Sequence, residues 1–219
     1  MKKIILMVIG GLVLASCNNP TATEATDQQS VAVDSNGTVF NIDKNASMVT
    51  WEGYKTGGSH NGTVNITEGT FTAKMGVISA GSFVIDLTSI KNSDITDTAN
   101  KAVLIRHLND TDFFNTKKWP TAKFEITNVS ALTNDTAGNT NMISGNLTIK
   151  GITKNISFPA KVMTEGDNLE TKGTVTIDRL QWDIKYNSKT VASPAMVAKL
   201  KDKFIKDEIK IGFDIKARK

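Results

Sequence analysis

Ile209-Lys210-Ile211-Gly212-Phe213-Asp214-Ile215-Lys216-Ala217-Arg218 carries an apolar residue at every odd position and a polar residue or glycine at every even one. Successive side chains of a β-strand point to opposite faces, so this period of two specifies a strand with one buried and one solvated face. The pattern recurs upstream. Phe83, Ile85 and Leu87 alternate with Ser82 and Asp86, and Ile143, Leu147 and Ile149 with Ser144, Asn146, Thr148 and Lys150. Ile152, Ile156, Phe158, Ala160 and Val162 alternate with Thr153, Asn155, Ser157 and Lys161. Shorter pieces occur at Val49/Trp51, Val64/Ile66, Phe71/Ala73, Phe124/Ile126 and Val175/Ile177.

Gly57-Gly58, Lys150-Gly151, Gly166-Asp167 and the stretch 134–139 supply the turns between these strands. Helical periodicity is confined to 98–108, where Asp97 can cap the start and Ala102, Ile105 and Leu108 share a face, and to a short turn around 194–200. Eight or so amphipathic strands with polar outer faces need one shared interior. Closing the sheet on itself supplies that interior and abolishes exposed edges. The fold expected is all-β, a single antiparallel eight-stranded barrel with one or two short helices. A sandwich is the alternative.

The chain has 219 residues and a net charge of +4. Its start reads as a secretory signal: Lys2-Lys3, an apolar run over 4–15, then Leu14-Ala15-Ser16-Cys17. The run is too short to span a bilayer, which needs about 20 apolar residues. The ending resembles a bacterial lipobox, so residues 1–16 are expected to be removed and Cys17, the single cysteine, to be acylated. Without Lys2 and Lys3 the balance is 24 basic against 22 acidic side chains, which removes any case for a nucleic-acid partner. Residues 17–38, rich in Asn, Thr, Ala, Gln and Ser, read as a flexible tether, and 39–219 as the barrel domain. The location expected is the periplasmic face of a bacterial membrane. Asn18 after the cysteine favours the outer one.

Nucleophile elbow, phosphate loop, HExxH and dinucleotide fingerprint are all missing from the sequence. Two histidines and one cysteine offer no metal-ligand spacing. His107 is expected to make a helix-to-barrel hydrogen bond, and His60, in a Gly-rich loop, to serve either structure or a ligand headgroup. Asp178-Arg179 reads as a turn-fixing pair. No catalytic residue, cofactor or metal is expected.

Two motifs resemble the signature of the YceI-like polyisoprenoid-binding family. One runs from Leu104-Ile105-Arg106-His107-Leu108 through Asp112-Phe113-Phe114-Asn115 to Trp119-Pro120-Thr121-Ala122-Lys123-Phe124. The other is Ile143-Ser144-Gly145-Asn146-Leu147-Thr148-Ile149-Lys150-Gly151-Ile152-Thr153-Lys154. His60-Asn61-Gly62, Ile177-Asp178-Arg179 and Asp207-Glu208-Ile209 follow in the same order. Asn115 departs from the aspartate common in relatives.

The resemblance implies a lipocalin-like barrel that binds, without catalysis, a long isoprenoid lipid: a polyprenyl phosphate or the tail of a quinone. The inward positions then expected to line its cavity are Val49, Trp51, Phe71, Phe83, Ile85, Phe113, Phe114, Phe124, Ile126, Leu147, Ile156, Phe158, Phe213 and Ile215. His60, Asn61 and Arg106 are the headgroup candidates. The alternative function is a structural or adhesion-type lipoprotein whose barrel is solidly packed and empty of ligand. Monomer and homodimer are both left open.

Overall fold

The computed structural model describes residues 21–219; the signal expected at 1–16 and the acylation expected at Cys17 lie outside the described residues. The chain forms β1 (Ala25–Asp27), β2 (Thr38–Ile42), β3 (Met48–Lys55), β4 (Gly58–Lys74), β5 (Val77–Asn92), α1 (Thr98–Asn109), β6 (Thr121–Ala131), β7 (Asn141–Ile149), β8 (Ile152–Glu165) and β9 (Asn168–Asp178). A 3-10 turn (Arg179–Trp182), α2 (Pro194–Leu200) and β10 (Ile205–Arg218) complete it. Each strand from β3 to β9 pairs antiparallel with the next, β9 pairs with β10, and β10 returns to β3. The sheet is therefore a closed eight-stranded barrel, and the sandwich is excluded.

The period of two in β10 holds: Ile209, Ile215 and Ala217 are buried, while Lys210, Lys216 and Arg218 are exposed. In β5 the inward parity shifts between Ile78 and Phe83 because Ser79 is extra to the β4 pairing, between Thr72↔Ala80 and Ala73↔Ile78. Asp97 caps α1 as expected, its carboxylate accepting from the Asn100 N–H at 2.8 Å.

Two short strands outside the ring mend its wall. β2 pairs with both β4 and β10 beyond the start of β3. β1 pairs with β8 over Ile156, Asn155 and Lys154, a part of β8 whose pairing with β9 has ended, since that pairing begins at Ala160. Thr23 bridges the same split: its N–H donates to Thr176 O at 2.7 Å and its hydroxyl to Ser157 O at 2.7 Å. The stretch expected to be a free tether is thus built into the barrel from about Thr23 onward. Asn146 shows how. It sits on the outward parity of β7 yet is fully buried, donating from Nδ2 to Gln29 O at 2.7 Å and accepting from the Gln29 N–H at 3.0 Å. A side-chain amide presents a donor and an acceptor together, so Asn146 pairs with Gln29 as a neighbouring strand would.

The interior divides in two along the barrel axis. In one half Phe83, Phe124, Phe158 and Phe213 stack in sequence, with ring centroids 5.4, 5.6 and 5.3 Å apart. Only about 20 Å³ remains among them, Phe71, Ile126, Ile143 and Ile215. That is room for about one water, so this half is filled. Gly145 permits it: a Cβ there would lie 2.2 Å from the Phe124 ring. The other half, closed by α1, the 3-10 turn and the segment before β10, is hollow.

Candidate binding site

The hollow half encloses a cavity of about 100 Å³. Strand β3 contributes Val49, Trp51 and Gly53 to its wall, β5 Ile85, Leu87 and Ile90, and β7 Leu147 and Ile149. Leu108 from the end of α1, with Phe113 and Phe114 just after it, forms one lid. Trp182 and Ile184 form the other; Trp182 is fully buried and held by its indole N–H, which donates to Leu147 O at 3.0 Å. At Gly53 a Cβ would meet nothing within 4 Å, so this glycine leaves space where any side chain would take it.

The wall opens where β3 and β10 fall out of register. Ile205 faces Lys55 and Ile209 faces Gly53, so β10 has two more residues than β3 between these pairings. Backbone carbonyls freed by such a break need partners. Arg179 supplies them, Nε donating to Lys206 O at 3.0 Å and Nη2 to Ile205 O at 3.1 Å, while Nη1 donates to Ile184 O, after the 3-10 turn, at 2.5 Å. Its guanidinium is fully buried, 3.1 Å from Asp207 Oδ1 and 5.9 Å from the Phe113 ring centre. Burial pulls its basicity below the usual value, against the opposing pull of Asp207, Asp178 and Glu208. Asp178 meanwhile caps the 3-10 turn by accepting from the Leu180 N–H at 2.9 Å. The pair does fix a turn, but the arginine's ionic partner is Asp207 instead of its chain neighbour.

Outside this opening runs a polar groove lined by Lys55, His60, Arg106, His107, Asp110 and Tyr186, which shares Ile205 with the cavity. His60 Nδ1 lies 2.7 Å from Asp94 Oδ2 and its Nε2 lies 3.0 Å from Lys55 Nζ. An ammonium can only donate, so Nε2 accepts and the ring proton sits on Nδ1, given to Asp94. Burial alone would raise the Asp94 carboxyl, but hydrogen bonds from the Asn61 N–H, His60 and Asn92 Nδ2 outweigh it and hold the group at about 2. Gly62 lets these strands meet: a Cβ there would lie 1.7 Å from Lys91 O.

The fourteen expected lining residues therefore part company. Val49, Trp51, Ile85, Phe113, Phe114 and Leu147 border the cavity. Phe71, Phe83, Phe124, Ile126, Phe158, Phe213 and Ile215 border the filled half, where they pack on one another. Ile156 is buried but borders neither space. Parity reports which face is inward and nothing of depth along the axis. Of the headgroup candidates, His60 and Arg106 line the groove, whereas Asn61 supports it through its backbone, its N–H donating to Asp94 and its carbonyl accepting from Asn92 Nδ2. Among the described residues, His107 makes no helix-to-barrel side-chain hydrogen bond. Its ring lies between Phe113 and Tyr186, at centroid distances of 5.8 and 4.3 Å, and its buried Nε2 has no partner among the described residues. Gly53, Trp182 and Lys55 escape the alternation pattern: the first has no side chain, the second follows a strand, and the third ends one.

A family model described as a YceI-like domain matches residues 40–217, the whole ring and both lids. The chain belongs to the YceI-like family. A UPF0312 protein of Pseudomonas aeruginosa is 42% identical over 77 residues, 35% of this chain and 37% of that protein. Protein YceI of Salmonella arizonae is 35% identical over 107 residues, 49% of this chain and 51% of that one. The chain thus spans about a third to a half of the length of these curated relatives. Among solved structures, BcnA of Burkholderia cenocepacia superposes with a TM-score of 0.59 at 18% identity, covering 80% of this chain and 99% of BcnA. A polyisoprenoid binding domain from Saccharophagus degradans gives 0.57 at 14% identity, covering 82% and 97%. At such identities the likeness is one of fold. Within this YceI-like chain the two long motifs mark structural closures. Asn115 takes a left-handed φ of 50°, which asparagine tolerates, at the bend after the Phe113-Phe114 lid. Gly151 lies beneath the Trp119 ring, where a Cβ would come within 2.6 Å.

Proposed function

We propose that this barrel binds the chain of an isoprenoid lipid in its hollow half, with the lipid head in the groove of Lys55, His60 and Arg106. The observation that carries this is that Ile205 borders both an apolar cavity and a groove bearing cationic groups. The two cations, Lys55 and Arg106, outnumber the one lining carboxylate, Asp110, and favour a phosphate head, as in a polyprenyl phosphate, over a quinone. The Saccharophagus degradans neighbour, a polyisoprenoid binding domain, supports the same ligand class.

Energetics assign the groove its importance. Burying one five-carbon unit from water contributes roughly 4 kcal/mol, at about 0.8 kcal/mol per carbon group. A lipid taken from a bilayer has already made that gain, so the chain contributes little net and the head decides selectivity. A cavity of about 100 Å³ is also below the roughly 300 Å³ at which ligand pockets usually begin. A chain of several isoprene units therefore enters by displacing the half-buried Phe114 and Ile205, and the phenylalanine layer stops it. The protein works at the periplasmic face of a bacterial membrane, held by acylated Cys17. Thr23, whose N–H is bonded to the wall, follows Cys17 so closely that the chain between them spans at most about 20 Å.

Denaturing mass spectrometry of the full chain, purified from membranes in mild detergent, should show a co-purifying prenyl-chain mass. Gly53→Trp places a large side chain in the opening at a site with room for it, and should lose that mass while keeping the wild-type melting temperature. Absence of lipid from the wild type, or equal lipid in the folded variant, overturns the reading.

A further inference from the structure

The segment 185–206 crosses the hollow end between the 3-10 turn and β10. It carries six lysines, at 185, 189, 199, 201, 203 and 206, against one acidic residue, Asp202. Its middle is α2, started by Ser193, whose hydroxyl accepts from the Met196 N–H, and by Pro194 in the first turn. None of α2's residues is buried. Val191, Met196 and Val197 are exposed at 50%, 40% and 37%. The segment is nonetheless fixed at its ends, where the Ile205 N–H donates to Asn187 O at 2.9 Å and the Thr56 N–H to Phe204 O at 3.2 Å. It therefore holds an exposed apolar face on a lysine-rich segment that ends at Ile205; beside Val191 and Met196 lie Lys150, Lys185, Asp112 and Asp183, of which Asp183 is paired with Lys185.

Apolar exposure alone does not choose this end. The opposite end exposes Met75 at 94% and Val77 at 51%, around the β4–β5 turn. There the ends of β9 and the chain carry opposite charges that pair with each other, Lys219 with Asp167 at 3.1 Å. Lys189, Lys199, Lys201 and Lys203 have no carboxylate within ion-pair distance among the described residues. A helix with an apolar face and a lysine-rich surround is the arrangement that lies in the plane of an anionic bilayer surface. We infer that 185–206 is a docking face for an anionic lipid surface, which sets the cavity opening against the bilayer. The inference extends the lipid-binding reading of the preceding section, and its test reads contact with the bilayer instead of cargo, so either can fail without the other.

The test uses the full chain with Cys17→Ser, labelled with an environment-sensitive fluorophore through Val197→Cys or, as the control, Met75→Cys. Vesicles are neutral phosphatidylcholine, or phosphatidylcholine with about 30 mol % phosphatidylglycerol, since each lysine near an anionic surface strengthens partitioning about fivefold. The label at 197 should brighten and shift to the blue on the anionic vesicles only, and the label at 75 should respond on neither. Reversing Lys189, Lys199, Lys201 and Lys203 to Glu should abolish the response at 197; should that variant unfold, the four Lys→Gln changes should weaken it by at least about tenfold. Molar salt should do the same, because screening then acts within about 3 Å. No response at 197, an equal response at 75, or one that survives removal of the lysines overturns the inference.

Discussion

Phe124→Ala tests the division of the barrel into a filled and a hollow half. Phe124 is buried to 5% exposure at the middle of the aromatic layer, between Phe83 and Phe158, with Gly145 beneath it. The space already present there is only about 20 Å³, and the flanking rings are braced by β5 and β8, so collapse into the vacated volume is limited. Truncation of a well-packed phenylalanine then costs about 3–5 kcal/mol. In a chain of this size that lowers the melting temperature by about 2–4 °C for each kcal/mol. Urea unfolding of the wild type and variant measures the loss directly, and Phe124→Leu, expected to cost about 1 kcal/mol, serves if the alanine variant does not fold. The variant should also accept a longer prenyl chain, visible as a heavier co-purifying mass, because the floor of the cavity has been removed. A loss below about 1 kcal/mol would refute the packed floor, since transfer and cavity terms alone exceed it.

Asn146→Ala removes both bonds to Gln29 and leaves Asn155 Nδ2 without one of its acceptors. A loss of about 2–3 kcal/mol is expected, at about 1 kcal/mol per bond, with faster amide exchange at Gln29 and β1 by mass spectrometry. Arg179→Met strips three carbonyls of their donor and leaves Asp207 without its ionic partner; the expected cost is about 3–5 kcal/mol, and Arg179→Lys, lacking the planar fork, should not restore stability. Asp94, held at about 2 against its usual 3.8, stabilises the fold above the higher value, and that contribution disappears as the pH falls toward the lower one. Melting temperatures of wild type and Asp94→Asn should therefore differ by a constant amount above about pH 4 and converge below it.

How far this structure is legible in the sequence depends on what each residue type can encode. Alternation in β10 and β8 tells inside from outside because a buried face tolerates little else, and Asp97 marks the start of α1 because a carboxylate there accepts a helix N–H. Neither signal contains depth along the barrel. Phe83 and Ile85 make the point. Both are apolar, inward and on one strand, yet Ile85 borders the cavity while Phe83, two residues earlier, stands in the filled half. Only the neighbouring strands, through Gly145 beneath Phe124 and Gly53 facing open space, decide which becomes floor and which becomes wall.

The N-terminal stretch departs from its expected role for a related reason. Composition makes 17–38 a tether, since it holds few large apolar residues and so contributes little to a core. Strand pairing, however, draws on backbone groups that every residue carries. The unpaired edge of β8 at Lys154–Ile156 offers such groups, and the outward Asn155 and Asn146 supply a matching side-chain edge. Two asparagines on the solvated parity of adjacent strands are the visible clue, because asparagine is a poor strand former that needs a reason to be there. The consequence reaches the proposed function. A leash of about 20 free residues would let the barrel tumble near a membrane with its opening in any direction. With the proposed acyl anchor on Cys17, a chain joined to the wall at Thr23 would restrict the barrel to the bilayer surface, where the lysines and the exposed apolar side chains of 185–206 would set its orientation.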